Sequence, residues 1–380
     1  MRILIVNHSD INSPYGAASS LRHHLKLFDS DAKFITKVIT NKRLLFISKN
    51  YKKNLPISDI NISFFWVPKT DVCSNAHHNP IKKLLLFWLP NILARVARKR
   101  MLQEIKDFRP DLVHLNSFTL LGMAPLLQEL SVPIIIHGRE LINPMKFTNK
   151  HKLQFAHISR VVCIDSMVES RLLNLMPAVP SRVIENPFSR SRNKFPRNFP
   201  KDKVVMGVLG QINDYDKGVG FICESFIRLS NPKYLLVIVG PESSYKRALK
   251  DKYGSNSGII FLAEIDDANE SGIFSSIDIV IRGEKEFCTG RTVYEGLFNG
   301  CVVVLPKRAS EPPPAPPGML SRFLDRVVFY EPRDSGSLGY ALQLAAQKAA
   351  STDRARIKEC DNHSSYHSAV SAEYIALRGS

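Results

Sequence analysis

Short runs of apolar, β-branched residues recur along the chain, separated by longer stretches of helical periodicity, and this alternation leaves few folds open. Leu235-Leu236-Val237-Ile238-Val239 is the clearest run. A strand apolar at every residue must be covered on both faces, which places it in a parallel sheet flanked by helices. Strands are read at Arg2–Asn7, Phe34–Ile39, Phe64–Val67, Leu112–Leu115, Ile134–His137 and Val161–Ile164 in the first half. In the second half they are read at Val204–Leu209, Tyr234–Val239, Ile259–Leu262, Ile277–Ile281, Val302–Leu305 and Val327–Phe329. Strand and helix in repetition is the pattern of βα units. A length of 380 residues gives two such domains, each with its own core. The polar, basic, proline-punctuated segment Asn186–Pro196 reads as the linker between them. The expected fold class is α/β, with two Rossmann-like parallel-sheet halves.

The apolar share of 44 % and charged share of 23 % are those of a globular chain. Six cysteines without a C-x-x-C pair argue against a zinc cluster or disulfide framework and suit a reducing cytosol. No stretch approaches the ~20 apolar residues of a membrane span, and the run at Met1–Asn7 is too short for a signal peptide. The charge is uneven. Residues 1–200 carry 30 Lys+Arg against 13 Asp+Glu, and residues 201–380 carry 22 against 22, so the whole net charge of +17 sits on the first half. Such asymmetry speaks of partners. No nucleic-acid recognition motif is present, so nucleic acid is set aside in favour of an anionic membrane surface. Ile81, Leu84, Leu85, Trp88, Leu89, Ile92 and Val96 recur at helical spacing, flanked by Lys82, Lys83, Arg95, Arg98, Lys99 and Arg100. That is the composition of an interfacial helix, with Pro90 expected to kink or split it. The competing reading is a core helix whose cations snorkel to water. Ser310–Gly318, rich in proline, reads as a loop.

Open parallel sheets bind ligands beyond the carboxyl ends of their strands. Neither G-x-G-x-x-G nor a Walker A sequence follows any strand here. Gly16 and the small residues after it follow the first strand and open a helix, either so that backbone N–H groups approach a phosphate or sugar or simply as a βα loop with Ser and Asn caps. After the first strand of the second half comes Gly210-Gln211-Ile212-Asn213-Asp214-Tyr215-Asp216-Lys217-Gly218, in which Lys217 is suited to neutralise a diphosphate. The D-x-D pattern Asp214-Tyr215-Asp216 is read as helix-capping acids, not as a metal site. The densest constellation runs from Gly283 through Val304. A helix opening at about Gly290 would aim the amides of Thr289, Gly290 and Arg291 at an anion. Glu295, one turn in, is placed either to accept both hydroxyls of a ribose or simply to face solvent, and Gly300 to end the helix.

Glu295-Gly296-Leu297-Phe298-Asn299-Gly300-Cys301-Val302-Val303-Val304, together with the loop holding Lys217-Gly218, resembles glycosyltransferase family four. That is the retaining group with the two-Rossmann GT-B fold, marked by E-x7-E, a small-residue helix, a glycine and an apolar strand. The similarity extends through Gly16, His137-Gly138, the turn Val161–Ser166, Val183-Ile184-Glu185-Asn186-Pro187, the strand Ile259–Leu262 and the final helix from Tyr366 to Tyr374. It departs at two points. The position eight before Glu295 is Phe287, with Glu286 nine before, and the family's Gly-Arg ahead of Lys-Gly is Gly210-Gln211. One diphosphate cation is therefore missing, and Arg291 or another residue is expected to compensate.

The resemblance implies an acceptor-binding domain over 1–187, a nucleotide-sugar domain over 188–355, and a C-terminal helix in 356–380 packing back on the first, with the chemistry in the cleft between the two domains. It implies a retaining, metal-independent hexosyltransferase without a cofactor, giving an α-linked product from an α-nucleotide sugar. The acceptor would be a glycan or a lipid-linked molecule in cell-envelope polysaccharide or glycolipid assembly, at the cytoplasmic face of the membrane. Glu286 would hold the donor sugar's hydroxyls and His137 would sit beside the reacting centre, unless His137 is a structural strand-end histidine, as His114 is read to be. Gly16, Gln211, Lys217, Thr289, Gly290 and Arg291 would surround the diphosphate and Glu295 the ribose. Lys82, Lys83, Trp88, Arg95, Arg98 and Lys99 would meet the membrane. Two other readings stay open: a nucleotide-sugar epimerase of the same fold, and a catalytically silent binding or scaffold subunit, suggested by Gln211 and the displaced Glu286.

Overall fold

A computed structural model of the chain describes residues 1–11, 16–29, 31–41, 60–65, 70, 72–73, 89–195, 199–212, 217–285, 287, 289–307, 318–351 and 361–378, with the backbone alone at 17, 41, 64 and 89–97. Glu286, Lys82, Lys83, Trp88, the Asp214-Tyr215-Asp216 triplet and the prolines of 310–317 lie outside the described residues, and so does the side chain of Arg95.

The strands form two all-parallel sheets. The first contains β1 (Arg2–Asn7), β2 (Ile35–Asn41), β3 (Asn61–Phe65), β4 (Leu112–Leu115), β5 (Ile134–Gly138), β6 (Arg160–Cys163) and β7 (Ser181–Val183), in the order β3-β2-β1-β4-β5-β6-β7. The second contains β8 (Val204–Leu209), β9 (Tyr234–Val239), β10 (Ile259–Leu262), β11 (Ile279–Ile281), β12 (Val302–Pro306) and β13 (Val327–Tyr330), in the order β10-β9-β8-β11-β12-β13. Each sheet grows outward from a central pair, so the winding reverses between β1 and β4 and again between β8 and β11. Those are the switch points at which parallel sheets open a crevice beyond their strand ends. Every strand expected from the sequence is present, although the one expected at Phe64–Val67 begins earlier, at Asn61. The short strand β7, Ser181-Arg182-Val183, carries too little apolar signal to be read in advance.

Alternation along β1 fills both faces of the first sheet. Leu4 and Val6 join Val113, Leu115, Ile134 and Ile136 in one core. Ile3 and Ile5 join Leu112, Ile135 and Val162 in the other. That second core is closed by Leu21, Leu25 and Phe28 of the helix Gly16–Asp29, and by Tyr366, Val370, Tyr374 and Leu377 of the helix His363–Arg378. The last four recur at helical spacing, which lays one apolar stripe on the sheet. Glu373 of the same helix pairs with Arg182 Nη1 at 2.6 Å and Arg160 Nε at 3.2 Å. Pro90 stands in the first turn of the helix Leu89–Phe108, where a missing N–H is no loss, and residues 81–88 of the element it was expected to kink or split lie outside the described residues. Met101 and Ile105 of that helix are buried in the first core, while Arg98 is half-buried and Lys99 exposed.

In the second sheet, Met206, Val208, Leu236, Ile238, Ile279, Ile281, Val302 and Val304 pack beneath the helices Val219–Leu229 and Ser335–Ser351. Two compact units result: Met1–Ser13, Ala17–Pro187 and His363–Ser380 form one, and Pro14–Gly16 with Phe188–Asn362 the other. The segment expected as a linker is anchored to the second unit at Phe188, whose N–H donates to Asn362 Oδ1 at 2.7 Å and whose ring packs on Tyr294 and Phe298. Among the described residues no helix is long and apolar enough to cross a membrane.

Candidate active site

At the switch point of the second unit, the loop after β8 and the loop after β11 touch backbone to backbone. Gly218 has φ +59, and a Cβ there would collide with the carbonyl oxygen of Gly283. A Cβ on Gly283 would in turn lie 2.8 Å from the carbonyl oxygen of Gly218. Two glycines are needed for so close an approach, and the approach carries Lys217 to the end of β11. There Lys217 Nζ lies 3.0 Å from Glu284 Oε1. Arg282 Nη2 donates to that same oxygen, and Arg282 Nε donates to Glu284 Oε2 at 3.1 Å. The guanidinium also donates from Nη1 to Thr292 Oγ1 at 2.9 Å, and lies 2.9 Å from where a Cβ on Gly290 would be. Gly290 thus lets a buried arginine lie flat against the start of the helix Arg291–Phe298, whose N-cap is that glycine and has no side-chain cap.

Burial acts to raise the Glu284 carboxyl, but the charges of Arg282 and Lys217 outweigh it and hold the group below the ordinary carboxylate range. Gln211, Lys217, Arg282, Gly283 and Glu284 line a shallow, open pocket. An arginine, a lysine and a helix N-terminus at the end of a parallel strand make an edge suited to a phosphorylated ligand.

One turn further along, Glu295 is buried and ion-paired to Arg291, with Nε to Oε1 at 2.6 Å. Arg291 in turn lies over the Phe188 ring, 5.1 Å from its centroid. Burial pushes the Glu295 carboxyl up, opposed by Arg291. The structure therefore brings Gln211, Lys217, Gly290 and the unforeseen Arg282 and Glu284 together, while Arg291 is engaged with Glu295. Thr289 is buried beside the helix start.

The first unit holds its own polar cluster at the ends of β1, β4 and β5. Arg139 donates from Nε to Asn116 Oδ1 at 2.7 Å and from Nη1 to Asn186 Oδ1, and Asn116 donates to Asn7 Oδ1 at 3.0 Å. Ser117 Oγ lies 2.9 Å from both carboxylate oxygens of Glu140, whose carboxyl is pushed by burial up to about 7. His137 is fully buried, its ring stacked on that of His114 at 5.4 Å, and its Nε2 has no hydrogen-bond partner among the described residues. Burial and the nearby Arg139 hold His137 far below the ordinary histidine value and bring His114 to about 3, so both are neutral at pH 7. His114 Nδ1 meets the Tyr374 hydroxyl, while His24 meets the Tyr366 hydroxyl at 2.9 Å and the Tyr374 hydroxyl at 3.3 Å. This layer fixes the C-terminal helix, as the structural reading of His114 supposed. Gly16 opens its helix at φ +53 with nothing within 4 Å of a Cβ.

No family model matches the chain, and no curated protein matches it significantly. Solved structures do. HepE of Anabaena, in complex with UDP and glucose, matches with a TM-score of 0.70 at 16 % identity, over 99 % of this chain and 100 % of that one. Sucrose-phosphate synthase from Thermosynechococcus elongatus matches with a TM-score of 0.69 at 14 % identity, over 99 % of each chain. The lipopolysaccharide outer core galactosyltransferase WaaB, in its apo form, matches with a TM-score of 0.60 at 14 % identity, over 100 % and 97 %. The fold is GT-B. Identities this low establish the fold and leave the function to the site.

Arg282, Glu284, Arg139 and Glu140 were not anticipated. Each lies within three residues of a strand end, at Arg282-Gly283-Glu284 after β11 and Arg139-Glu140 after β5. Position after a strand, apart from any motif, was the available signal.

Proposed function

We propose that the chain is a glycosyltransferase of the retaining family-four kind, moving a sugar from a nucleotide-sugar donor held by the second unit to an acceptor held by the first. The observation that carries this reading is the pairing of Lys217 and Arg282 beside the uncapped helix start at Gly290, on the ligand-binding edge of a parallel sheet. Cleaving the bond from the anomeric carbon to a diphosphate leaves negative charge on the phosphate. Fixed cations and amides at that point lower the barrier without reorganising, and they do so without a metal. Glu295 is assigned the ribose, Glu286 the donor sugar's hydroxyls and His137 a place beside the reacting centre.

An envelope glycan or lipid-linked acceptor, reached from the cytoplasmic face of an anionic membrane, is the substrate class that the one-sided charge of residues 1–200 favours. HepE with its UDP and glucose, and WaaB as a lipopolysaccharide galactosyltransferase, are precedents for such chemistry on this fold. The test is incubation of purified protein with UDP-, GDP- and ADP-sugars, followed by mass spectrometry. Release of the nucleoside diphosphate, by transfer or slow hydrolysis, is expected. A donor converted only to its own epimer would point to the epimerase, and no turnover of any donor to the silent subunit.

A further inference from the structure

The pocket at the end of β8 and β11 already contains an anion of its own. Among the described residues lining it, the charged ones are Lys217, Arg282 and Glu284. One carboxylate oxygen, Glu284 Oε1, is shared by Lys217 Nζ and Arg282 Nη2, which is how a phosphate oxygen is shared by a lysine and an arginine. The Arg282 and Glu284 side chains are 8 % and 10 % exposed, against 33 % for Lys217. The carboxylate therefore lies inside the pocket, and the lysine reaches over it from the solvent side. Gln211, where an arginine is usual in the resembled family, adds no charge to this rim.

We propose that Glu284 is an internal stand-in for a ligand phosphate: it pairs with Lys217 and Arg282 in the free protein, and a diphosphate displaces it from Lys217 on binding. Arg282 then supplies the second cation that Gln211 does not, from the end of β11 instead of the loop after β8. This rests on the donor-site reading above and adds a consequence for selectivity. An incoming anion competes with a carboxylate that is already in place. A diphosphate, with more charge and more oxygens to share between two cations, succeeds where a monophosphate does not. The site would thus hold the intact donor and its diphosphate product in preference to orthophosphate or a nucleoside monophosphate.

The probes are inorganic pyrophosphate and orthophosphate, titrated calorimetrically into the full chain. The wild type is expected to bind pyrophosphate and not orthophosphate. Glu284→Gln removes the competing charge and is expected to tighten pyrophosphate binding about fivefold or more and to make orthophosphate binding measurable. Lys217→Gln and Arg282→Gln each remove a charge-assisted contact and are expected to weaken pyrophosphate about tenfold. Where the glutamine variant does not fold, Glu284→Asp draws the carboxylate back from Lys217, and the same tightening is expected. Equal or weaker pyrophosphate binding in a folded Glu284 variant overturns the proposal and makes Glu284 a structural strut. Nucleotide-sugar turnover that is indifferent to Arg282 and Glu284 overturns it while leaving the transferase reading intact. Pyrophosphate behaviour as expected, without turnover of any donor, upholds it while removing that reading. An absence of pyrophosphate binding in the wild type and every variant overturns the proposal, and donor turnover then decides the transferase reading separately.

Discussion

Gly218 and Gly283 meet backbone to backbone, with no room for a Cβ on either. This contact sets the position of Lys217 relative to Arg282 and Glu284, so the pocket depends on two residues that have no side chain. Gly218→Ala adds a methyl group both at a left-handed φ and against a carbonyl. It is expected to cost about 1–3 kcal/mol and to displace Lys217 from Glu284. Urea unfolding checks the first effect and loss of pyrophosphate binding the second.

Arg291 and Glu295 form a buried pair one helical turn apart. Removing one partner leaves the other charged and without its counter-ion in a low-dielectric site. Glu295→Ala is therefore expected to destabilise the protein by about 3–5 kcal/mol, and the double replacement Arg291→Met with Glu295→Leu by much less. Chemical denaturation of the single and double variants reads the difference directly. A double variant as unstable as the single would mean that packing, not charge, dominates.

His114 is held neutral by burial, its value brought down to about 3. Its unfolded value is near 6.5, so between these limits the unfolded chain binds the proton and the folded chain does not. The stability that His114 contributes is complete above pH 6.5 and is lost as pH falls toward 3. Relative to His114→Gln, the wild type should lose about 2 kcal/mol between pH 7 and pH 5, at ~1.4 kcal/mol per unit of difference. Matched thermal melts at the two pH values measure it. A gap between the proteins that does not change with pH contradicts the burial.

The basic first half should bring the chain to anionic vesicles and not to neutral ones, with binding that fades as salt rises, since each cation near such a surface contributes about 1 kcal/mol. Flotation in both kinds of vesicle is the check. Equal binding to neutral vesicles, or none to either, removes the membrane from the account.

The sequence carried the sheets well because apolar runs such as Leu235–Val239 have only one setting in which both faces are covered. Short, polar β7 lacked that signal. Lys217 and Gly290 were legible from their place before helices. Arg282 and Glu284 were not, because nothing local distinguishes a site arginine from any other charge at a strand end. Their role appears only when β8 and β11, some seventy residues apart in sequence, are seen as neighbours. The same holds for His24 and Tyr366, joined across 342 positions. The Arg291–Glu295 pair was within reach, since a spacing of four puts the two on one helix face.

The central claim is that a nucleoside diphosphate binds against Lys217 and the helix start at Gly290. Calorimetric titration of the wild type and of Lys217→Ala with UDP, GDP and ADP tests it most directly. At least one of the three is expected to bind the wild type, and to bind Lys217→Ala about tenfold more weakly. A wild type that binds none of them, or a variant that binds as tightly as the wild type, contradicts it.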